Sequence, residues 1–308
     1  RSELMNDIIQ LDSIDAYNKL YGFPTLHPLV AVSNSLNAKH SYEHVRLNYG
    51  VYALFLKNGV GCSIRYGRQN YDYQEGTIVS FAPGQYVEID KRPTDMQPEC
   101  YGLLFHPDLI AGTTLGQKMN RYSFFDYSQN EALHLSEQER QIFLDCLAKI
   151  EYELNHPVDK HSRDLLCAHI EVILDYCLRF YDRQFCTRAK VNNDTLTRFE
   201  QLLNSYFEDE ATVVSNGLPS VKYFADKVCL SSGYFGDLVK RETGRTAQEY
   251  IQRKIIDLSK HRLLGSLQSV GEVAYSLGFQ YPQHFIRLFK REVGCTPGEF
   301  RTESRTLN

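Results

Sequence analysis

The last ninety residues of the chain contain the same pattern twice, about 50 positions apart. The first copy spans residues 220–250 and the second spans residues 269–300. The residues that recur after the turn of each copy are Phe235/Phe285, Leu238/Leu288, Lys240/Lys290, Arg241/Arg291, Glu242/Glu292, Gly244/Gly294 and Thr246/Thr296. Two copies are too few for a solenoid, whose repeats usually number about three or more. Each copy is therefore predicted to be a small helical module.

The second copy predicts two short helices joined by a tight turn. Ser269 and Glu272 form a capping box that opens the first helix, and Gly278 supplies the turn. The next helix is predicted to start near Tyr281 or Pro282, because a proline ring is tolerated in a first helical turn. This order of elements is a helix-turn-helix.

The second helix of this copy has one apolar side and one polar side. The inner side is predicted to hold Phe285, Leu288, Phe289 and Glu292. The outer side holds Gln283, Arg287 and Lys290, with His284 beside them. An amide can pair with adenine, a guanidinium with guanine and an ammonium with phosphate. An ordinary solvated helix face would have the same composition. The repetition of this helix pattern in two copies, beside a helix that ends in a glycine turn, favours DNA binding.

The first copy has a poorer reading face. Its outward positions are Gly233, Asp237 and Lys240. Glycine has no side chain that could distinguish base pairs, and the carboxylate of the aspartate is repelled by phosphate. Ser231 could bond phosphates or base edges. At the turn this copy has Cys229, which must adopt the turn conformation without the freedom of glycine.

A single helix is predicted to join the two modules. Thr246 and Glu249 form a capping box that opens a helix to about Leu264. A helix of about 18 residues is ~27 Å long, close to the ~34 Å of one DNA turn. Both recognition helices could then enter successive major grooves on one face of the duplex.

The C-terminal region resembles the AraC/XylS family of bacterial transcription regulators. The likeness covers residues 194–301, and its most specific part runs from Ala274 to Arg301 (AYSLGFQYPQHFIRLFKREVGCTPGEFR). The resemblance implies two three-helix modules joined by a helix over 247–264. It also implies an N-terminal small barrel that binds an effector, followed by helices that dimerise.

The resemblance assigns DNA contacts to matching positions of both modules. The residues expected to contact bases are Gln283, His284, Arg287, Gly236 and Asp237. The residues expected to contact phosphates are Ser231, Ser232, Lys240, Arg241, Ser269, Lys290 and Arg291. Because the first module offers glycine and aspartate where the second offers glutamine and arginine, we expect the second to specify sequence and the first mainly to anchor.

The distribution of charge agrees with a DNA-binding end. Residues 222–305 hold 14 Lys and Arg against 9 Asp and Glu, a net charge of +5, which leaves −9 on the rest of a chain whose total is −4. A basic end on an acidic body suits a DNA module joined to a domain with another partner, although chance patterning could produce the same asymmetry. The expected partners are double-stranded DNA, a small-molecule effector, a second copy of the chain and, for an activator, RNA polymerase.

The N-terminal part is predicted to be rich in short strands. Apolar runs punctuated by glycine and proline between residues 29 and 105 indicate an antiparallel barrel of the cupin or jelly-roll kind. Helices follow over about 107–186, and the helix at 163–185 is apolar on more than one face, so it lies inside the domain or pairs with another chain.

The fold class is therefore α+β in two domains. Residues 1–186 are predicted to form the barrel and its helices, residues 187–193 a polar linker, and residues 194–308 an all-α double helix-turn-helix. No apolar run is long enough for a membrane span or a signal peptide, so a cytoplasmic location is expected. The eight cysteines are scattered singly and are interpreted as reduced thiols.

Small barrels also house enzymes and ligand sites. The chain has no His-x-His, and His40 and His44 lack an obvious third ligand, so we expect no metal, no cofactor and no enzymatic activity. The effector candidates are Arg46, Tyr52, Arg65, Tyr66 and Tyr86, which could line a pocket for a polar molecule or sugar, or be ordinary core and surface. The alternative function is a ligand-binding barrel or metal-dependent barrel enzyme whose helical end serves protein contacts.

Overall fold

The computed structural model describes residues 8–42, 44–58, 76–90 and 99–306. The chain divides into two compact units, Arg1–Arg188 and Ala189–Asn308. Strands occur only in the first unit among the described residues, and helices follow them. No helix in the described ranges combines the length and apolar character needed to span a bilayer.

The strands of the first unit form two sheets. They are β1 (Ile8–Leu11), β2 (Val30–Asn34), β3 (His44–Tyr49), β4 (Tyr52–Lys57), β5 (Gly76–Phe81), β6 (Gln85–Asp90), β7 (Cys100–Phe105) and β8 (Leu133–Leu135). One sheet has the order β1-β3-β6 and the other has the order β2-β7-β4-β5-β8. All neighbours are antiparallel except β1 and β3, which run parallel.

The expected antiparallel barrel of the cupin or jelly-roll kind is present as a sheet domain, but its described strands do not close into a barrel. Within the described residues the sheets share a core but do not join edge to edge. In β3 the buried Val45, Leu47 and Tyr49 alternate with outward residues, which is the period-two pattern of a sheet with one covered face. Leu54 of β4 and Leu103 of β7 are fully buried on the other face of the larger sheet, so that sheet is covered on both faces.

Several aromatic side chains pack together within the shared core. The rings of Tyr49 and Phe81 stack with centroids 5.3 Å apart, and Phe55 lies 6.2 Å from Tyr49 and 6.1 Å from Phe81. Gly102 leaves room for this packing, since a Cβ there would lie 2.5 Å from Ser33 Oγ and 2.8 Å from the Phe55 ring. The hydroxyl of the buried Tyr17 hydrogen-bonds Ser33 Oγ at 3.2 Å.

The helices of the first unit are α1 (Ile14–Tyr21), α2 (Pro107–Ile110), α3 (Thr114–Lys118), α4 (Glu137–Asn155) and α5 (Ser162–Thr187). A capping box of Ser136 and Glu139 opens α4. One side of α5 is buried within the unit, and Ile170, Ile173 and Leu174 lie on that side. The amide of Gln184 also ties α5 to β8, accepting from His134 N at 2.8 Å and donating to Ala132 O at 3.1 Å.

The second unit is entirely helical in its described part. Its helices are α6 (Ala189–Glu208), α7 (Glu210–Asn216), α8 (Val221–Lys227), α9 (Ser232–Thr243), α10 (Ala247–Gly265), α11 (Val270–Ser276), α12 (Pro282–Val293) and α13 (Pro297–Thr306). The linker expected at 187–193 is instead helical, since Thr187 ends α5 and residues 189–193 begin α6. Asn192 of this segment is buried and donates to Glu242 Oε1 at 3.5 Å, so its polarity reflects a tertiary contact rather than a loop.

Candidate nucleic-acid interface

The two copies of the repeated pattern have the same local structure. Ser220 caps α8 by accepting a hydrogen bond from Tyr223 N at 3.1 Å, and Ser269 caps α11 by accepting one from Glu272 N at 3.2 Å. Each first helix is followed by a short turn and then by a recognition helix, which is α9 in the first module and α12 in the second. The predicted pair of helix-turn-helix modules is thus present.

The turns of the two modules also match in their hydrogen bonds. Leu230 N donates to Ala225 O at 2.9 Å, and Phe279 N donates to Ala274 O at 3.1 Å at the equivalent place. The residue before each of these amides has a left-handed backbone, with φ of 61° at Cys229 and 91° at Gly278. Cys229 is the only non-glycine residue with positive φ among the described residues, so the first module adopts the turn without its preferred residue.

Replacing Cys229 by glycine should therefore stabilise the first module. A side chain in the left-handed region costs roughly 1–2 kcal/mol of folding free energy, which the substitution would recover. Part of that gain in stability is offset, because glycine has more conformational freedom in the unfolded chain. We expect Cys229→Gly to raise the free energy of unfolding by about 0.5–1 kcal/mol over Cys229→Ala, measured by chemical denaturation. Equal stability of the two variants would show that the turn is not strained.

The inner side of α12 is anchored by two phenylalanines. Phe285 and Phe289 are fully buried, with their ring centroids 5.7 Å apart, and Phe289 also lies 5.5 Å from Phe300. Leu288 is half-buried. Glu292, which we placed on this inner side, is exposed and pairs with Arg291 at 2.8 Å, so the apolar side is narrower than the sequence predicts.

The outer side of α12 presents the predicted reading residues together. Gln283, His284, Arg287 and Lys290 are all exposed on this helix. Arg287 makes no hydrogen bond or ion pair with any residue that the structure describes, and the His284 ring meets Tyr281 edge-on with centroids 5.7 Å apart. An amide, an imidazole and a guanidinium on one open face can all donate hydrogen bonds to base edges in a major groove.

The outer side of α9 is smaller and carries less chemistry. Phe235, Leu238 and Val239 are buried on the inner side of α9. Gly236 and Asp237 are half-buried, and a Cβ built on Gly236 would meet no atom within 4 Å. The helix surface at Gly236 is therefore open, but it has no side chain that could distinguish base pairs.

The phosphate candidates of the first module lie at both ends of α9. Ser231 is the N-cap of α9 and accepts from Tyr234 N at 3.2 Å, and Ser232 is exposed beside it. Lys240 and Arg241 are exposed in the last turn. The exposed hydroxyl of Ser232 and the exposed cations of Lys240 and Arg241 are suited to phosphate oxygens and carry no sequence information, whereas Ser231 is half-buried.

All three phosphate candidates of the second module are exposed. Ser269 is exposed at the start of α11, and Lys290 is exposed on α12. Arg291 is also exposed, but its Nη2 donates to Gln252 Oε1 of α10 at 3.0 Å while its Nε pairs with Glu292. Arg291 is thus held toward the connecting helix, a contact between residues 39 apart that nothing in the sequence pattern signals.

An arginine not identified from the sequence holds the two modules together. Arg262 of α10 donates through Nη1 to Ser276 O at 2.7 Å and through Nη2 to Phe207 O at 3.1 Å. These carbonyls lie near the ends of α11 and α6, where main-chain oxygens have no partner within the helix. Arg262 therefore joins one helix of each module to the connecting helix.

The main chain at the turn of the second module lies in close contact with the main chain at Gly217. A Cβ built on Gly278 would lie 2.6 Å from the carbonyl carbon and oxygen of Gly217, which follows α7. The Tyr206 hydroxyl donates to the same Gly217 oxygen at 2.7 Å and fixes that loop. The turn of the second module is therefore seated directly on the first module.

The effector candidates do not come together in the described residues. Arg46 and Tyr86 lie on the outward side of β3 and β6, where Arg46 pairs with Glu88 at 3.2 Å. Tyr52 of β4 instead stacks on Phe105 and meets Phe125 edge-on, with centroids 5.1 Å and 5.0 Å away. It is separated from Arg46 and Tyr86 because β4 belongs to the other sheet. Arg65 and Tyr66 lie outside the described residues.

No group of three or more His, Cys, Asp and Glu side chains that could hold an ion occurs among the described residues. The seven described cysteines are free thiols, of which Cys146, Cys167 and Cys177 are buried. Burial raises the pKa of all three thiols above the usual value.

Comparisons with known proteins place the likeness in the same region. A family profile described as a helix-turn-helix domain matches residues 224–303. The transcriptional activator RhaS of Citrobacter koseri is 31% identical over 137 residues, which cover 44% of this chain and 46% of that protein. RhaS of Escherichia fergusonii is 39% identical over 77 residues, or 25% of this chain and 28% of that protein.

One solved structure covers a similar share of the chain. The C-terminal domain of the response regulator yesN from Fusobacterium nucleatum is 28% identical, with a TM-score of 0.29, over 33% of this chain and 96% of that one. The chain thus matches less than half the length of the two RhaS proteins. The repeated modules, the matched profile and the shared sequence agree that the second unit contains a helix-turn-helix domain similar to those of the AraC/XylS family.

Proposed function

We propose that the chain is a sequence-specific DNA-binding transcription regulator. The observation that carries the proposal is the exposed trio Gln283, His284 and Arg287 on a recognition helix that two buried phenylalanines hold in place. The first module, which has the same geometry and is joined through α10 and Arg262, would sit in the next major groove and contact phosphates. In this proposal the second module specifies sequence and the first module anchors.

The dependence of binding on salt tests this proposal. A protein that neutralises several phosphates releases counterions, so the logarithm of its affinity falls linearly with the logarithm of salt concentration. We expect the unmodified chain to bind labelled duplexes from its own genome with such a slope, and to prefer some duplexes over others at fixed salt. Fluorescence anisotropy measures both, and an affinity that neither salt nor sequence changes would overturn the proposal.

We propose a regulatory role for the first unit. It has its own two-sheet core, and the rest of the chain outside 222–305 carries −9, which does not favour contact with DNA. A small-molecule effector would act through this unit, and RNA polymerase would be a partner if the chain activates transcription, as the name of the RhaS relatives states for them. Neither role requires a metal or a catalytic group.

We further propose that α5 pairs with α5 of a second copy. Leu165 and Val172 are large apolar residues that remain 44% and 46% exposed, seven positions apart on one side of the helix, with the exposed Ala168 between them. This spacing is that of the a and d positions of a two-helix seam. The inner side of α5 is covered within its own unit, so the stripe of Leu165, Ala168 and Val172 is a separate surface.

Val172→Asp is expected to prevent this pairing. A charge in the centre of an apolar seam would be desolvated without a partner, so the dimer dissociation constant should rise at least about tenfold. Analytical ultracentrifugation over a range of concentrations measures it. Asp164→Ala, at an exposed position of α5 outside the stripe, is the control and should leave the dissociation constant unchanged. A monomeric unmodified chain, or equal effects of both variants, would contradict the assignment.

A further inference from the structure

A cleft of about 460 Å³ opens between α10 and α12 in the second unit. It lies beside the reading side of α12, because Arg287 and His284 both line it. Its volume falls within the range of about 300–1,000 Å³ that is common for small-molecule sites. The cleft is therefore large enough for a compact organic ligand.

The floor of the cleft is apolar. It is formed by Ile251 and Ile255 of α10, by Phe279 after the turn and by Leu288 of α12. Ile251, Ile255 and Phe279 are buried and Leu288 is half-buried, so the floor is a fixed part of the packing between the two helices. A ligand with an apolar body would remove the remaining exposed apolar surface from water.

The rim of the cleft is cationic. Arg287 stands there without a hydrogen bond or ion pair to any described residue, and Arg291 is held at the same rim by its hydrogen bond to Gln252. None of the described residues that line the cleft is acidic. A guanidinium without a partner beside an apolar surface can bind a carboxylate through two parallel hydrogen bonds.

We infer that this cleft binds an organic anion with a compact apolar body, its carboxylate on Arg287 and its body on Ile251, Ile255 and Leu288. A DNA strand lying across the cleft would satisfy the rim but would leave the apolar floor uncovered, because its phosphates and sugars are polar. The cleft thus fits an amphipathic small molecule better than the DNA backbone.

The consequence for regulation rests on the proposed function. Arg287 is the guanidinium that we assign to base reading, and it cannot pair with a carboxylate and a guanine at the same time. Binding of the anion and specific binding of DNA would then exclude each other, so the apparent dissociation constant for the operator would rise linearly with the concentration of free ligand. The ligand would act directly on the DNA-binding unit.

A single introduced tryptophan provides the test. The chain has no tryptophan, so Gln248→Trp places the only indole at the exposed edge of the cleft. The probe is adamantane-1-carboxylate, titrated into the full chain in the absence of DNA, and its uncharged counterpart is adamantan-1-ylmethanol. We expect a saturable change in emission with the carboxylate, and binding at least about tenfold weaker with the alcohol.

Two further variants identify the charged partner. Arg287→Gln in the same background should weaken carboxylate binding at least about tenfold, whereas Arg253→Gln should leave it unchanged. Arg253 is an exposed cation of α10 that does not line the cleft, which makes it the matched control. Isothermal titration calorimetry on the unmodified chain checks that the tryptophan itself does not create or fill the site.

The outcomes separate this inference from the proposed function. Equal binding of the carboxylate and the alcohol, equal effects of the two arginine variants, or no heat of binding to the unmodified chain would overturn the site. Because these titrations contain no DNA, they remain decisive even if the chain binds no duplex. If the chain binds both the carboxylate and DNA but the carboxylate does not displace a labelled operator, the proposed competition is wrong.

Discussion

Arg287→Ala is expected to remove most of the sequence preference of DNA binding while leaving much of the affinity for random duplex. A guanidinium paired with guanine O6 and N7 is worth about 1–3 kcal/mol of discrimination against other base pairs. Arg287 is exposed on α12 and has no described protein partner, so its replacement should not disturb the fold. The measurement is the ratio of affinities for a preferred and a scrambled duplex, by fluorescence anisotropy at fixed salt.

Lys290→Ala is the matched variant, one turn along the same helix. An ammonium that contacts phosphate contributes equally to every sequence, so its loss should weaken both duplexes alike and reduce the salt slope by about 0.9. The specificity ratio should stay close to that of the unmodified chain. If both variants changed the ratio equally, the assignment of one residue to bases and the other to phosphate would be wrong.

Gly278→Ala is expected to be among the most destabilising single substitutions in the second unit. The new Cβ would lie 2.6 Å from the main-chain atoms of Gly217, and φ at this position is 91°. The left-handed backbone costs a non-glycine residue roughly 1–2 kcal/mol, and the backbone overlap should add about 1–3 kcal/mol. Chemical denaturation should therefore show a loss of about 2–5 kcal/mol in the free energy of unfolding.

Gly294→Ala separates the two causes. Gly294 ends α12 with φ of 92°, nearly the same as Gly278, but a Cβ there would meet no atom within 4 Å. Its replacement should cost only the roughly 1–2 kcal/mol of the left-handed backbone. If Gly278→Ala were no worse than Gly294→Ala, the turn of the second module would not be seated on Gly217.

The features that could be predicted from the sequence are those decided by neighbouring residues. The capping boxes of α4, α10 and α11 each pair a serine or threonine with a glutamate three positions later, and all three are present. The turn at Gly278 and the strained turn at Cys229 follow from the same local alignment of the two copies. The outer side of α12 was predictable because helical periodicity alone places Gln283, Arg287 and Lys290 together.

The features that could not be predicted depend on distant partners. The strands of the first unit were recognisable, but their pairing into two sheets, with β1 parallel to β3, has no signature in the sequence. Residues 189–193 have a polar composition typical of a linker, yet they are helical. Asn192 in this segment contacts Glu242, 50 positions away, and no local pattern signals that contact. The bridge from Arg262 to Phe207 is likewise a contact across 55 positions.

The difference between the two recognition helices sets what the DNA site should look like. Both modules share caps, buried phenylalanines and terminal cations, so both should bind the duplex backbone. On the reading side α12 presents Gln283 and Arg287, whereas α9 presents Gly236 and Asp237. Sequence information in the bound DNA should therefore be concentrated in one of two grooves.

Selection of bound duplexes from a random library, using the unmodified chain, tests this asymmetry most directly. The structure predicts one block of strongly preferred base pairs within a single major groove, and a second contact region about one helical turn away (~10 base pairs) that tolerates any sequence. The same selection with Arg287→Ala should lose the preferred block. Two equally constrained blocks, or no enrichment over a library carried through without protein, would contradict the account.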